Sequence, residues 1–259
     1  MSIRDIIVLL DDGKSNAERV DFAIGLADAH DANLTGVALG SMKPIHAPRY
    51  KDQNAVARMS EKMAQKIIEE FAIKAKGFGV KTETLTIYGD ATSSGLKMAH
   101  YARNYDLAIL TQPHPERDNY NPLIDFSKQV LLHSGRPVIF MPYIGANRIP
   151  PQTAMIAWDG TPSVSRSVHD AIPLLKSLQD VKILVVASKK QQQTKKEVLV
   201  HGLARHLEHH GVNARILNID PGANSVSSVI LNQITDNNID LLIMGGHGTP
   251  TLKQKIFGT

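Results

Sequence analysis

The chain contains no cysteine. That excludes a disulfide framework, a thiolate metal site and a cysteine nucleophile. It also fits a reducing cytoplasm, which is the expected location. Aromatic residues make up only 5% of the sequence, too few for the stacking platforms that hold single-stranded nucleic acid. Charge of one sign is scarce as well: 29 basic against 25 acidic residues leave a net charge of +4, and the charges are mixed along the chain. The one basic cluster, Lys189 to Lys196 ("KKQQQTKK"), reads as a solvated loop between a strand and a helix. A nucleic-acid partner is therefore not expected. No apolar run approaches the roughly 20 residues of a membrane span. The opening "MSIRDIIVLLDDGK" is too short in its apolar part, and too soon acidic, for a signal peptide.

What is present is ordinary globular material: 259 residues, 42% hydrophobic and 21% charged. At roughly 100–200 residues per domain this means one large domain or two small ones. An internal repeat selects two. "IRDIIVLLDDGKSNAERVDFAIGLA" and "QTAMIAWDGTPSVSRSVHDAIPLL" each read as apolar strand, Asp-bearing turn and amphipathic helix, with Asp11 or Asp12 opposite Asp159. Later, "YARNYDLAILTQ" matches "ITDNNIDLLIMGG", which pairs Asp106 with Asp240. The runs "IIVLL", "KILVV" and "DLLIM" are continuously apolar, as strands are when helices cover both faces of a sheet. Alternating strands and helices then imply parallel sheets with right-handed crossovers. In the first half strands are expected at 5–10, 33–39, 81–87, 107–111 and 137–141, with helices near 16–29, 55–77, 91–104 and 127–134. In the second, strands are expected at 154–158, 182–186, 214–219 and 241–244. The proline-bearing stretch Met141 to Pro151 is the natural linker.

Three glycines follow the last apolar run, in "MGGHGTPTLKQKIFGT". A loop leaving a parallel strand opens onto the crevice where doubly wound sheets bind ligands. Glycine there lets backbone N–H groups come close to an anion. Gly245, Gly246 and Gly248 fit such a nest, with Lys253 and Lys255 to add charge. Gly258 and Thr259 fit the start of a helix, where free N–H groups and the dipole favour phosphate. On the residues alone two readings stay open: this phosphate site, or a glycine-rich turn followed by an unrelated helix cap.

The arrangement resembles the tandem form of the universal stress protein family. The family motif G-x2-G-x9-G-[ST] is matched by Gly245, Gly248, Gly258 and Thr259, and the strand ending in Asp by "AWDGTPSVSRSVHDAI". The resemblance extends through the element order of both halves. It implies two tandem, parallel, five-stranded α/β sandwich domains of Rossmann-like type, at 1–143 and 152–259, packed as a pseudo-dimer and able to form a homodimer. It also implies adenine nucleotide binding, as ATP with Mg2+, in the second half. On that resemblance Asp159 lies by the ribose or adenine, a backbone group near Val186 meets the adenine edge, and Gly245, Gly248, Gly258 and Thr259 hold the phosphates. The implied role is regulatory or protective under stress, with weak ATP hydrolysis at most.

The first half departs from the pattern. Thr111 stands where Gly245 stands, His114 where Gly248 stands, and Phe126 and Ser127 roughly where Gly258 and Thr259 stand. Proline in this loop has no N–H, and bulkier residues block backbone approach. The first half is expected not to bind nucleotide in the same way. After the equivalent point it continues with "KQVLLHSGRPVIFMP", whereas nothing comparable follows Thr259, so the second domain is expected to lack its last helix and strand in this chain.

Other motifs carry less. "DDGKS" lacks the glycine a P-loop needs, since Val8 occupies that place; Gly13 and Ser15 read as a turn and a helix cap. His206 and His210 share a helical face, but no H-E-x-x-H accompanies them, and with Gly211 they read as a helix end. Neither a Ser-His-Asp series nor a carboxylate pair is in place for catalysis, and only Asp159 or His247 offers a base. The rival functions are an interaction protein of the same fold that binds no nucleotide, and a slow nucleotide hydrolase.

Overall fold

The computed structural model describes residues 2–13, 15–40, 53–113, 122–142, 146, 148–187 and 195–246. They form two compact units, one of Ser2–Pro150 and one beginning at Pro151. In the first unit, strands β1 (Asp5–Leu10), β2 (Asn33–Leu39), β3 (Thr82–Ile87), β4 (Leu107–Thr111) and β5 (Val138–Met141) alternate with helices α1 (Asn16–His30), α2 (Gln53–Gly77), α3 (Ala91–Ala102) and α4 (Pro122–His133). All neighbours are parallel, in the order β3-β2-β1-β4-β5. The second unit has β6 (Thr153–Ala157), α5 (Pro162–Leu175), β7 (Asp180–Val186), α6 (Lys195–His209), β8 (Ala214–Ile219), α7 (Val226–Asp236) and β9 (Leu241–Ile243). Its described strands are parallel in the order β8-β7-β6-β9, the same winding without a fifth strand among the described residues.

The winding follows from the side-chain pattern. Alternate residues of a strand face opposite sides of the sheet, and in β6 both sides are apolar. Ala154 and Ile156 pack with Val164 and Val168 of α5 and Leu203 and Leu207 of α6. Met155, between them, packs with Leu184 and with Ile230 of α7. In the first unit Ile7 and Leu9 of β1 join Met98 of α3 and Phe126 and Val130 of α4. Helices start where the sequence supplies caps: Asp90 accepts from Ser93 N at 2.8 Å, Ser225 from Ser228 N at 3.1 Å, and Thr161 from Val164 N at 3.5 Å with Pro162 as the next residue.

The repeated Asp106 and Asp240 have one structural cause. Asp106 Oδ2 accepts from Arg4 N at 2.7 Å and Asp5 N at 3.1 Å; Asp240 Oδ2 accepts from Gln152 N at 2.9 Å and Thr153 N at 3.1 Å. Each carboxylate ties the start of one central strand to the start of its neighbour, β4 to β1 and β9 to β6. This fixes the register at the amino end and leaves the carboxyl end to open.

Two expectations are corrected. Helix α4 begins at Pro122, not at Ser127, so Phe126 and Ser127 lie inside the helix and are fully buried. They are held there because α3 and α4 touch closely: a Cβ on Gly95 of α3 would stand 2.7 Å from Phe126 O. Ser15 stands at the N-cap of α1 but makes no capping bond, because its hydroxyl is drawn toward Thr111 instead. Among the described residues no helix is long and apolar enough to cross a membrane.

Candidate functional site

In the first sheet the chain winds from β1 outward to β3 and then, on the other side, from β4 to β5; in the second it winds from β6 outward to β8 and then crosses to β9 on the other side of β6. The carboxyl ends of the strands on either side of this reversal are the usual place for a ligand crevice in an open α/β sheet. In the second unit this crevice is bordered by Trp158 and Asp159 after β6, Val186 at the end of β7, and Met244 to Gly246 after β9. Asp159, Val186 and Gly245 are thus all at strand ends on one edge of the sheet. Gly248, Gly258, Thr259, His247, Lys253 and Lys255 lie outside the described residues.

Asp159 is exposed and its carboxylate is held in place from one side. Oδ1 accepts from Thr161 N at 2.9 Å and from Thr161 Oγ1 at 2.7 Å, and Thr161 in turn caps α5. Oδ2 takes no hydrogen bond from any described residue. Val186 is half-buried and in register with Ile219, and the ladder runs on one step past it through Ala187 N to Ile219 O at 3.0 Å. Gly245 meets the first turn of α5. A Cβ there would lie 2.8 Å from Ser163 Oγ, 3.0 Å from Ser163 Cβ and 3.0 Å from Val164 N. The absent side chain is what lets the loop after β9 seat its backbone against the helix start, where orphan N–H groups gather.

Trp158 was read from sequence only as a strand residue. Its backbone N–H donates to Leu184 O at 2.9 Å. Its ring is half-buried against the β6–α5–α6 core, yet the indole Nε1 is enclosed without an acceptor. An enclosed donor left unpaired costs about 1–3 kcal/mol.

At the same strand ends the first unit has a network of its own side chains. The strand register places Asp11 at the position of Asp159 and Thr111 at that of Gly245, which settles the choice between Asp11 and Asp12. Asp11 Oδ1 accepts from Gly13 N at 2.8 Å, the counterpart of the Asp159–Thr161 turn. Thr111 Oγ1 stands 3.4 Å from Ser15 Oγ, where the second unit has Gly245 packed without a side chain close to Ser163 and Val164 N. Behind them lies Arg19. Its Nε donates to Leu9 O at 2.7 Å and its Nη2 to Asn16 Oδ1 at 2.8 Å, and Nη2 is 2.8 Å from Asp11 Oδ2. The two charged side chains are 0% and 8% exposed. The Nη2–Oδ2 contact is one of opposite charges rather than an aligned hydrogen bond, and Nη1 has no acceptor. Sequence reasoning missed Arg19 because a charge in a helix reads as surface. Its spacing was the clue: Arg19, Ala23 and Ala27 recur every fourth residue, and all three are buried. The second unit has Ser167 at the equivalent place, its hydroxyl turned back to Ser163 O at 3.2 Å.

Elsewhere, the rings of His206 and His210 meet edge to face with centroids 4.7 Å apart. His210 titrates below the usual histidine range, first through desolvation and then through the charges of His206, Lys176 and His169. Gly211 follows at φ +79°, as a helix-ending glycine does. Among the described residues no group of three metal-ligating side chains converges.

No family model matches the sequence and no curated protein matches it. Solved structures do resemble it over most of its length. A universal stress protein from Archaeoglobus fulgidus DSM 4304 is 14% identical, with 93% of this chain and 86% of that one covered and a TM-score of 0.68. A putative universal stress protein from Pseudomonas aeruginosa UCBPP-PA14 is 13% identical, with 96% and 85% covered and a TM-score of 0.56. A functionally unknown protein from Pseudomonas aeruginosa PAO1 is 13% identical, with 96% and 84% covered and a TM-score of 0.57. At such identities the likeness is one of architecture, and the chain has the fold that those solved structures share.

Proposed function

We propose that the second unit binds an adenine nucleotide, ATP with Mg2+, and that the chain acts as a ligand-sensing protein with a regulatory or protective role under stress. The observation that carries this reading is Gly245. It sits at the switch point of the sheet, pressed onto the first turn of α5 with no room for a Cβ. A backbone brought that close to a helix start is what a phosphate chain requires. Among the other described residues, Asp159 suits the rest of the ligand: its Oδ2 takes no hydrogen bond from a described residue and can accept from a sugar hydroxyl. Gly248, Gly258 and Thr259 complete the phosphate grip in this reading, and Val186 offers its backbone to the adenine edge. The first unit does not take nucleotide in this way, since Thr111, Ser15, Asn16, Arg19 and Asp11 already engage one another in its crevice. Its role is structural or partner-binding. Turnover, if any, is slow.

The full chain is purified, denatured, and its supernatant analysed by mass spectrometry and nucleotide chromatography, with calorimetric titration of Mg-ATP on the emptied protein. A near-stoichiometric adenine nucleotide, or saturable binding that Gly248→Val abolishes while the fold is kept, is the expected result. An empty protein that gives neither heat nor a thermal shift with Mg-ATP sinks the proposal in favour of an interaction protein without nucleotide. Unchanged affinity in Gly248→Val defeats the assignment of the site.

A further inference from the structure

His206 and His210 lie one turn apart at the carboxyl end of α6, and nucleotide binding makes no use of them. The turn between them is well anchored. Leu203 and Leu207 on its neighbouring side are buried in the β6–α5–α6 core. His210 stands just past the last helical residue, where its N–H donates to Leu207 O at 2.9 Å and Gly211 N donates to Glu208 O at 2.8 Å. His206 is exposed and His210 half-buried, so water reaches both.

The separation of the two rings suits a shared ion. A histidine nitrogen lies about 2.0–2.1 Å from a bound metal, which puts the ring centroid about 3.2 Å from it. Two rings on one ion at a right angle then have centroids about 4.5 Å apart, and at a tetrahedral angle about 5.2 Å. The observed 4.7 Å is close to the right angle. Right-angle coordination by nitrogen belongs to square-planar and octahedral ions, whereas a structural zinc site takes four protein ligands in a tetrahedron. Among the described residues no third ligand converges with the pair. His169 and Lys176 of α5 are near enough for their charges to act on His210. The lysine opposes any cation there, which favours the divalent ions that bind imidazole most strongly.

We propose that His206 and His210 form a two-imidazole chelate for a divalent transition-metal ion, Ni(II) or Cu(II), with water in its remaining positions. The ion ties the last turn of α6 to the Gly211 turn that leads into β8. Nucleotide is not required for it.

Nickel chloride is titrated by calorimetry into the nucleotide-free full chain. The expected result is saturable binding that His206→Ala and His210→Ala each weaken at least about tenfold, since either change removes one arm of the chelate. His209→Ala, beside the pair but outside it, leaves the affinity unchanged, and zinc chloride binds less tightly than nickel. In the wild-type chain, 15N-labelled at histidine, substoichiometric copper(II) sulfate broadens the ring resonances of His206 and His210 before those of the other histidines, a readout that needs no variant to fold. Absence of saturable nickel binding, binding that survives the combined His206→Ala and His210→Ala change, tighter binding of zinc, or copper broadening that starts at other histidines overturns the proposal. None of these outcomes bears on the nucleotide reading.

Discussion

Gly245→Ala adds one methyl group at the most crowded point of the second crevice. The new Cβ would stand 3.0 Å from Ser163 Cβ, where carbons at rest keep 3.5–4.0 Å. Rotation of the Ser163 hydroxyl relieves the 2.8 Å contact with its Oγ but not the 3.0 Å contact with Val164 N, which is backbone. Val164 is fully buried, so α5 cannot yield there without disturbing the core, and the loop after β9 must move by about half an ångström. Overpacking of this kind costs about 1–3 kcal/mol. For a unit of roughly 100 residues, 2 kcal/mol lowers the melting midpoint by about 8–16 °C. Trp158 lies in the second unit, so its fluorescence reports on that unit. The expected result is a fall in the fluorescence-detected midpoint, with partial recovery when Ser163→Gly is added, a coupling that additive independent sites do not show. A Gly245→Ala protein that melts with the wild type would refute the close packing of β9 on α5 and, with it, the geometric basis of the phosphate site.

Removing Asp11 leaves the Arg19 guanidinium buried without its counter-charge, so Asp11→Ala should destabilise the first unit by about 3–5 kcal/mol; urea unfolding followed by circular dichroism, with Trp158 fluorescence unchanged, checks this. Asp180 titrates below the usual carboxylate range because Lys182 donates to it, with Arg215 adding a second donor. Its folded pKa is thus below the unfolded value of 3.8, so its contribution to stability is present above that pH and is lost as pH falls below it. Asp180→Asn should flatten the acid limb of a stability–pH profile measured between pH 5 and 2, and an unchanged limb would rule Asp180 out as its source.

Where burial on both faces dictates an apolar run, the strand was legible: β1, β2 and β4 have the expected bounds; so does β8, although it is only half-buried, and β6, β7 and β9 differ by a residue or two. The start of α4 was not legible because a polar, proline-bearing sequence precedes it, although Pro122 in a first-turn position was itself a signal. The pairing of Asp106 with Asp240 could be seen as a repeat, but its cause could not, since the bonds join residues some ninety to a hundred apart in sequence. The places of Asp159 and Gly245 just past the carboxyl ends of β6 and β9 were legible from the apolar run that precedes each. Arg19 and Trp158 were not, because what distinguishes them is which bonding atoms find partners, and that depends on neighbours only the fold supplies.

The ion pair of Arg19 and Asp11 also bears on how the two halves of such a chain can diverge. A buried charge cannot lose its partner without a penalty of several kcal/mol, so neither residue can be replaced first without passing through a weakened protein. The first crevice is therefore shut against gradual change, and reopening it takes coordinated substitution of at least two residues. The second stands the other way: a glycine-to-alanine change at position 245, reached by a single base, puts a Cβ 3.0 Å from Ser163 Cβ and Val164 N. One duplicated architecture thus contains a half that is hard to convert and a half that is easy to lose.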